Sequence, residues 1–223
     1  MQLTPTETRV LATLVEKDRT TPDSYPLSTN ALTAACNQKT SRDPVMSVTS
    51  SEVDEAMLEL RAREMARTVR GAGARAYKHR HTLDAALGLD DDELACLAVL
   101  MLRGPQTPGE LRSRTERYVA TESPASVERA LRRLASRAEP LVVNLGRGPG
   151  QSQDRWMQLL GESDPDRRVA DPAGGDRSPS PLVAGSAPSA GRADELADVR
   201  AEVAELRALV QRICDELGID RSA

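Results

Sequence analysis

The sequence contains no phenylalanine, and aromatic residues make up only 2% of it. Leucine, valine, alanine and methionine must therefore fill any core, and this set as a whole favours helices. At 223 residues and 39% hydrophobic content, the chain is long enough for one or two domains. The scarcity of aromatic residues thus predicts a mainly α-helical protein.

Cysteine and histidine are also scarce. Cys36, Cys96 and Cys214 are far apart and show no paired metal-ligand spacing, which is typical of free thiols in a reducing compartment. His79 and His81 fall on one face of a predicted strand, but no third ligand cluster accompanies them. No Ser/His/Asp or Cys/His arrangement stands out. We therefore expect a non-enzymatic protein with no metal and no cofactor.

The chain has no long apolar run and no N-terminal signal, so we expect a cytoplasmic protein with no membrane partner. Residues 1–160 carry 22 Lys/Arg against 21 Asp/Glu, whereas residues 161–223 carry 8 against 13. Neither part is a polyanion-binding domain by net charge alone.

Residues 1–82 show the order of a winged helix, which is three helices followed by a two-stranded hairpin. Thr4 to Glu7 form a capping box that predicts the first helix, Ser28 caps a second, and Thr49 to Glu52 cap a third. Short alternating segments over residues 66–70 and 75–80, separated by a glycine-rich turn, then predict the hairpin.

The same order repeats over residues 83–160. First-helix residues Leu3, Glu7, Leu11 and Leu14 match residues 86 positions later, and third-helix residues Val53, Ala56, Met57 and Leu60 match residues 74 positions later. The first repeat therefore has 12 extra residues between its first and third helices. We predict two winged-helix domains, at residues 1–82 and 83–160.

The second repeat has its own start signals. Asp90, Thr107 and Ser123-Pro124 predict its three helices, and residues 141–145 and 155–160 predict its wing strands. By the offset of 74 residues that relates the third helices, Val143 corresponds to Val69. Trp156 is expected to take the place of Tyr77 in the last strand.

The C-terminal part has two patterns. Residues 161–193 are rich in Gly, Pro, Ser, Asp and Ala, which predicts a disordered linker. Residues 194–218 then carry apolar residues at alternating spacings of three and four, which predicts either a self-associating coiled-coil helix or a solitary amphipathic one. The seam consists of Leu196, Val199, Val203, Leu206, Val210, Ile213 and Leu217.

The segment at residues 21–45 is unusually polar and long for a connection, and the extra residues lie in it. With later motifs, it resembles the YceH-like family of bacterial proteins over residues 1–160; residues 161–223 lie outside the resemblance. The matching motifs are Thr21-Pro22-Asp23, Tyr25-Pro26-Leu27-Ser28, Asn30-Ala31-Leu32, Ala35-Cys36-Asn37-Gln38-Lys39, Arg42-Asp43-Pro44-Val45, Leu102-Arg103-Gly104-Pro105-Gln106-Thr107-Pro108-Gly109-Glu110-Leu111-Arg112 and Pro140-Leu141-Val142-Val143.

The resemblance implies a tandem winged-helix fold and no particular activity. Its motifs contain polar residues that either bind a partner or brace the long segment, and side-chain amides commonly fix loop backbones in this way. These residues are Tyr25, Asn30, Asn37, Gln38, Lys39 and Arg42.

DNA binding or a role in transcription is the natural hypothesis for a winged helix, because its third helix usually enters the major groove and its wing touches phosphates. Candidate contacts in the second repeat are Arg112, Arg114, Arg117, Arg129, Arg132 and Arg133. Those in the first wing are Arg67, Arg70, Arg75 and Lys78. Alternatively, the arginines pair with nearby acids on a solvated face.

A protein-interaction adaptor without nucleic-acid contact is the competing hypothesis. The third helix of the first repeat carries Glu52, Asp54, Glu55 and Glu59 outside its apolar stripe, which would repel phosphates. Fold alone does not decide between the two functions.

If the heptad seam pairs two copies, deleting residues 194–223 abolishes self-association. Sedimentation equilibrium of the full chain and the truncated chain checks this prediction. An equal protomer number for both chains would contradict it.

Overall fold

The computed structural model describes residues 2–70, 77–119, 125–148 and 151–161. The chain divides into two compact units, residues 1–171 and 172–223, and every described residue belongs to the first. The predicted wing turn at residues 71–73, the Ser123-Pro124 helix start, the linker and the heptad helix lie outside the described residues.

The first half, residues 1–82, contains three helices and a hairpin. The helices are α1 (Pro5–Thr20), α2 (Thr29–Cys36) and α3 (Ser50–Ala62), with a short 3-10 turn at Pro22–Ser24 after α1. The antiparallel hairpin consists of β1 (Ala66–Val69) and β2 (Lys78–His81).

The second half, residues 83–161, repeats this order after one extra helix, α4 (Leu83–Leu87). The repeated elements are α5 (Asp91–Arg103), α6 (Pro108–Thr115), α7 (Ser126–Ala135), β3 (Val142–Gly146) and β4 (Arg155–Gln158). The prediction of helices combined with small antiparallel hairpins is confirmed for the described residues.

Side-chain caps explain where the helices begin. Thr4, Thr49, Asp90 and Thr107 each accept a hydrogen bond from the main chain three residues later, where a glutamate completes a capping box. Ser28 caps α2 in the simpler way, by accepting from one main-chain N–H. The helix starts predicted at these five residues are confirmed.

The core lies around α1 and α5, which pack against each other at the centre of the unit. Residues 7–16 of α1 and residues 93–102 of α5 are buried on every face of their helices. The main-chain N–H of Leu3 also donates to the carbonyl of Leu160 at 2.6 Å, which joins the N-terminus to the end of the second half. The two halves therefore share one core.

The third helices bury the same positions in both halves. Val53, Ala56, Met57 and Leu60 are buried on α3, and the residues 74 positions later are buried on α7. The predicted offset is therefore confirmed, and it assigns equivalent positions along the outward faces of the two helices. The buried residues of α7 at this offset are Val127, Ala130, Leu131 and Leu134.

The two hairpins each receive one further main-chain pairing, from the residue just before the second helix. Leu27 exchanges hydrogen bonds of 2.6 and 3.0 Å with His79, and Gln106 exchanges bonds of 2.8 and 3.0 Å with Trp156. Trp156 therefore corresponds to His79. The expected equivalence of Trp156 and Tyr77 is wrong by two residues.

The connection from the third helix to the hairpin is two residues longer in the second half. Met65 donates its main-chain N–H to Leu60, five residues before it, whereas Leu141 donates to Leu134, seven residues before it. The offset thus changes from 74 to 76 before the first strand of the hairpin, and it is 77 in the second strand, where Trp156 corresponds to His79. The same change overturns the pairing of Val69 with Val143.

The 12 extra residues of the first half divide between two places. Leu14 lies 13 residues before Leu27, whereas Leu100 lies 6 residues before Gln106, so seven of them precede the hairpin bridge. The remaining five lie between α2 and α3. This second connection, residues 37–48, is called the 37–48 loop below.

Helix α4 was not expected from the sequence. Its Leu83 is fully buried, and Gly88 ends the helix in the left-handed conformation with φ of 59°. Only one turn and a half long, α4 lacks the periodic stripe by which a helix is recognised in sequence.

The two histidines lie on the inner face of the first hairpin and are buried. The His79 ring lies between the hydroxyls of Thr29 at 2.9 Å and Thr68 at 3.2 Å. The His81 ring lies 3.3 Å from Asp18. Burial lowers the pKa of both histidines, although the Asp18 carboxylate opposes the shift at His81.

These shifts predict a loss of stability as the medium becomes acidic. Because the folded pKa lies below the unfolded one, the unfolded chain binds protons first, and the free energy of unfolding falls below about pH 6.5. Each histidine contributes at most about 1.4 kcal/mol per pH unit. Urea unfolding of untagged protein between about pH 7 and 5.5 measures the slope. The double variant His79→Gln/His81→Gln, which has no histidine left, should lack it; an unchanged slope would refute the assignment.

Candidate functional site

The outer face of the β1–β2 hairpin, called the basic hairpin below, carries cations side by side. Arg67 lies directly opposite Arg80 and Val69 opposite Lys78, and the three cationic residues are exposed. Like charges in directly opposite positions destabilise a sheet. Among the residues that the structure describes, no acidic side chain lies within ion-pair distance of Arg67, Lys78 or Arg80. The basic hairpin thus carries uncompensated positive charge.

An aromatic ring lies at the open end of the same hairpin. The guanidinium of Arg70 lies over the ring of Tyr77 at 5.7 Å from its centroid, and Tyr77 is 61% exposed. Such a cation–π contact keeps the guanidinium and the ring together at the surface. Arg75, the remaining predicted contact of this hairpin, lies outside the described residues.

Tyr25 anchors the basic hairpin from its inner side. Its hydroxyl accepts a hydrogen bond of 2.7 Å from the main-chain N–H of His81, and its ring is tilted against the histidine ring at 6.3 Å. Burial raises the pKa of the Tyr25 hydroxyl, which therefore stays protonated. Of the predicted polar residues, Tyr25 thus positions the hairpin, whereas Asn30 is exposed on α2.

The exposed side of α7 carries the arginines of the second half. Arg129 and Arg132 are exposed, and Arg132 lies 3.6 Å from Glu128 one turn earlier. Arg133 lies 2.5 Å from Asp90 and 3.2 Å from Glu93, at the first turn of α5. The ion pairs of Arg133 therefore hold α7 against α5, whereas Arg129 and Arg132 make no such contact in the described structure.

A surface groove of about 500 Å³ separates α7 from the N-terminus of α6 and from the β3–β4 hairpin. Arg112 of α6, Arg132 of α7 and Arg147 of the hairpin line it together with Trp156. The structure thus brings Arg112 and Arg132 to one place. Sequence reasoning missed Arg147, although its position between two wing glycines was a usable signal.

The other predicted arginines of α6 and its end are differently placed. Arg117 is exposed and Arg114 is half-buried. Within the described ranges, no carboxylate lies close enough to Arg112, Arg114, Arg117 or Arg129 for an ion pair. The alternative that these arginines pair with nearby acids applies to Arg132 and Arg133.

The exposed side of α3 has the opposite charge. Glu52, Asp54, Glu55 and Glu59 are all exposed, and Leu58 among them is 65% exposed. This helix therefore presents an acidic surface with one large apolar side chain at its centre.

Arg42 of the 37–48 loop is buried in an ion pair with Glu16 of α1. Its two terminal nitrogens donate to the two carboxylate oxygens at 3.2 and 2.5 Å, and they also donate to the carbonyls of Ser41 and Ala35. Burial alone would raise the pKa of Glu16, but the Arg42 guanidinium holds it below its usual value. Both charges are thus compensated inside the protein.

Other polar residues of the same motif brace the loop. Asn37 spans it, donating its side-chain amide to the carbonyl of Val48 and accepting from the Val48 main chain, both at 2.8 Å. Gln38 accepts from Arg42 at 3.1 Å, whereas Lys39 is exposed. The geometry favours bracing for Asn37, Gln38 and Arg42.

The loop also connects the two halves. The main-chain N–H of Asp43 donates to the carbonyl of Leu102 at 2.8 Å, and Arg103 donates to the hydroxyl of Ser41 at 2.5 Å. The hydroxyl of Tyr118, just after α6, lies 3.4 Å from Glu16. The extra residues of the first half therefore form part of the contact with the second.

In the described part of the chain, no three His, Cys, Asp or Glu side chains come together as metal ligands. None of the described helices is both long and apolar enough to cross a bilayer.

The described residues thus form helices and small antiparallel hairpins in two like halves, with a cationic hairpin on the surface. Residues 3–151 match the family described as "Protein of unknown function, DUF480". The chain belongs to this family, and the resemblance drawn from its motifs is confirmed.

Curated bacterial relatives are similar over nearly their whole length. A UPF0502 protein of Burkholderia multivorans is 47% identical over 224 residues, which cover 100% of this chain and 92% of the relative. One from Leptothrix cholodnii is 44% identical over 226 residues, covering 98% and 96%. The family match ends at residue 151, in line with the expectation that residues 161–223 lie outside the resemblance, whereas similarity to these individual relatives extends into residues 161–223.

The geometry of Arg42 predicts a large loss of stability in Arg42→Ala. Glu16 would lose its two hydrogen bonds from Arg42 and keep a buried charge with only Lys17 within ion-pair distance, at 3.6 Å, which costs up to about 3–5 kcal/mol. Lys39→Ala, in the same loop but exposed, serves as the matched control and should change stability by less than about 0.5 kcal/mol. Urea unfolding of the three proteins measures the difference. Equal stabilities of Arg42→Ala and Lys39→Ala would argue against bracing.

Proposed function

We propose that each half is a winged helix and that the protein binds duplex DNA through phosphate contacts, as a DNA-associated regulator. The observation that carries this proposal is the outward-facing pair of Arg67 and Arg80, side by side without an acidic partner among the described residues. In this proposal β1–β2 and β3–β4 are the wings, and α3 and α7 are the third helices.

The basic hairpin suits phosphates because its cations are exposed and close together. A guanidinium forms paired hydrogen bonds with phosphate oxygens, and neutralised phosphates release their counterions. An anion between Arg67 and Arg80 would also relieve the repulsion across the strands. The hairpin is held from its inner side by Tyr25 and Leu27, so it is preorganised for such contacts.

In the second half, the proposal assigns the nucleic-acid contact to α7. Arg129 and Arg132 point away from the core at positions where a third helix would meet the groove of DNA. Arg112 lines the same groove on the protein as Arg132 and adds a cation beside it. The acidic α3 would repel phosphates, so the first half contributes its hairpin and not its third helix.

A protein-interaction adaptor is the second candidate function. It is favoured by one observation, the exposed Leu58 within the acidic face of α3. An apolar side chain surrounded by charge is typical of a protein contact and has no use in phosphate binding.

The decisive experiment measures binding to a labelled DNA duplex by fluorescence anisotropy over a range of salt concentrations. Binding should weaken steeply with salt, and Arg67→Gln/Arg80→Gln should lower the slope of log K against log salt by about 0.9 for each lost phosphate contact. Lys39→Gln/Arg61→Gln removes two exposed charges elsewhere and should leave the slope nearly unchanged.

Absence of binding even at about 50 mM salt would rule out the nucleic-acid function. An equal effect of both double variants would show attraction by net charge alone, and it would contradict the role of the basic hairpin.

A further inference from the structure

The third helices of the two halves carry opposite charge at equivalent outward positions. The buried residues of α3 and α7 coincide at an offset of 74, so their outward residues correspond at the same offset. At three such positions the acidic and apolar residues of α3 are replaced by arginines on α7. The pairs are Glu55 with Arg129, Leu58 with Arg132, and Glu59 with Arg133.

Two of these three positions are open to a new contact on both helices. Glu55 and Leu58 are exposed on α3, and Arg129 and Arg132 are exposed on α7. The ion pair of Arg132 with Glu128 lies on the surface of one helix and is 3.6 Å long, so it competes weakly with another carboxylate.

The third position is partly occupied. Glu59 lies 3.9 Å from Arg63 on the same side of α3, and Arg133 is held by Asp90 and Glu93. A contact between the two faces would therefore be centred on Glu55 and Leu58 and on Arg129 and Arg132.

We propose that the exposed face of α3 docks on the exposed face of α7 in a second copy of this chain. The guanidinium groups of Arg129 and Arg132 would meet the carboxylates around Leu58. The methylene stems of the arginines would cover Leu58, since long cationic side chains bury their apolar stems while keeping their charge in contact with polar groups. Both complementary surfaces are thus supplied by one sequence.

A second copy is a better partner for the exposed face of α3 than DNA is, because its acidic residues repel phosphates. These residues are Glu52, Asp54, Glu55 and Glu59. The contact also uses the arginines of α7, so a bound second copy and bound DNA would exclude each other there. It does not depend on the proposed function, since α3 and α7 carry exposed residues of opposite charge whether or not the protein has a DNA-binding role. It is likewise separate from the heptad seam of residues 194–218.

Charge reversal tests the contact with the full chain. Glu55→Arg/Glu59→Arg makes α3 basic, and Arg129→Glu/Arg132→Glu makes α7 acidic. Each variant alone would oppose like charges and should self-associate about tenfold more weakly than the natural chain. Mixed together, the basic α3 of one meets the acidic α7 of the other, and association should return.

Capture of an untagged chain by a tagged one measures all three combinations, with circular dichroism to verify that both variants fold. The heptad seam is present in every chain and contributes equally to each combination. Stronger capture in the mixture than in either variant alone supports the contact. Equal capture in all three combinations would overturn it, as would salt-insensitive association of the natural chain.

Discussion

The buried ion pair between Arg42 and Glu16 holds the 37–48 loop in the position from which the loop contacts the second half. It joins the 37–48 loop to α1, and Tyr118 of the second half lies beside the same carboxylate. Two charges inside a protein are tolerated only when they are paired and their remaining hydrogen-bonding groups are satisfied. The carbonyls of Ser41 in the loop and Ala35 in α2 accept from the terminal nitrogens of the guanidinium, whereas its buried Nε has no hydrogen-bond partner among the described residues.

Because α1 and α5 fill the centre of the core, the elements packed around them each keep one exposed side. The helices α3 and α7 each bury one stripe and leave the opposite side exposed, and the hairpins bury one face only. Function must therefore be sought on these outer surfaces. The charges of these surfaces differ between the two halves. The first half has a basic hairpin beside an acidic α3, and the second half has a basic α7.

Much of the local structure was readable from short patterns. Capping residues such as Thr4 and Thr49 act within one turn, and the 74-residue offset reflects buried stripes that both halves need. The equivalence of Trp156 with Tyr77 was misjudged because it depends on which residue of the last strand pairs with the residue before the second helix, and hydrophobic periodicity does not encode that pairing. The candidate arginines could be identified from sequence, but the sequence did not show which of them already form ion pairs within the protein.

The sequence by itself determined the helix starts, the repeat and the opposite charges of the two third helices, because these depend on neighbouring residues along the chain. Only the tertiary structure decided that Arg42 is buried with Glu16, that Arg133 is held at the start of α5, and that Arg67 faces Arg80. These facts join residues far apart in sequence. Their partners are chosen by packing and strand register, which the local pattern does not encode.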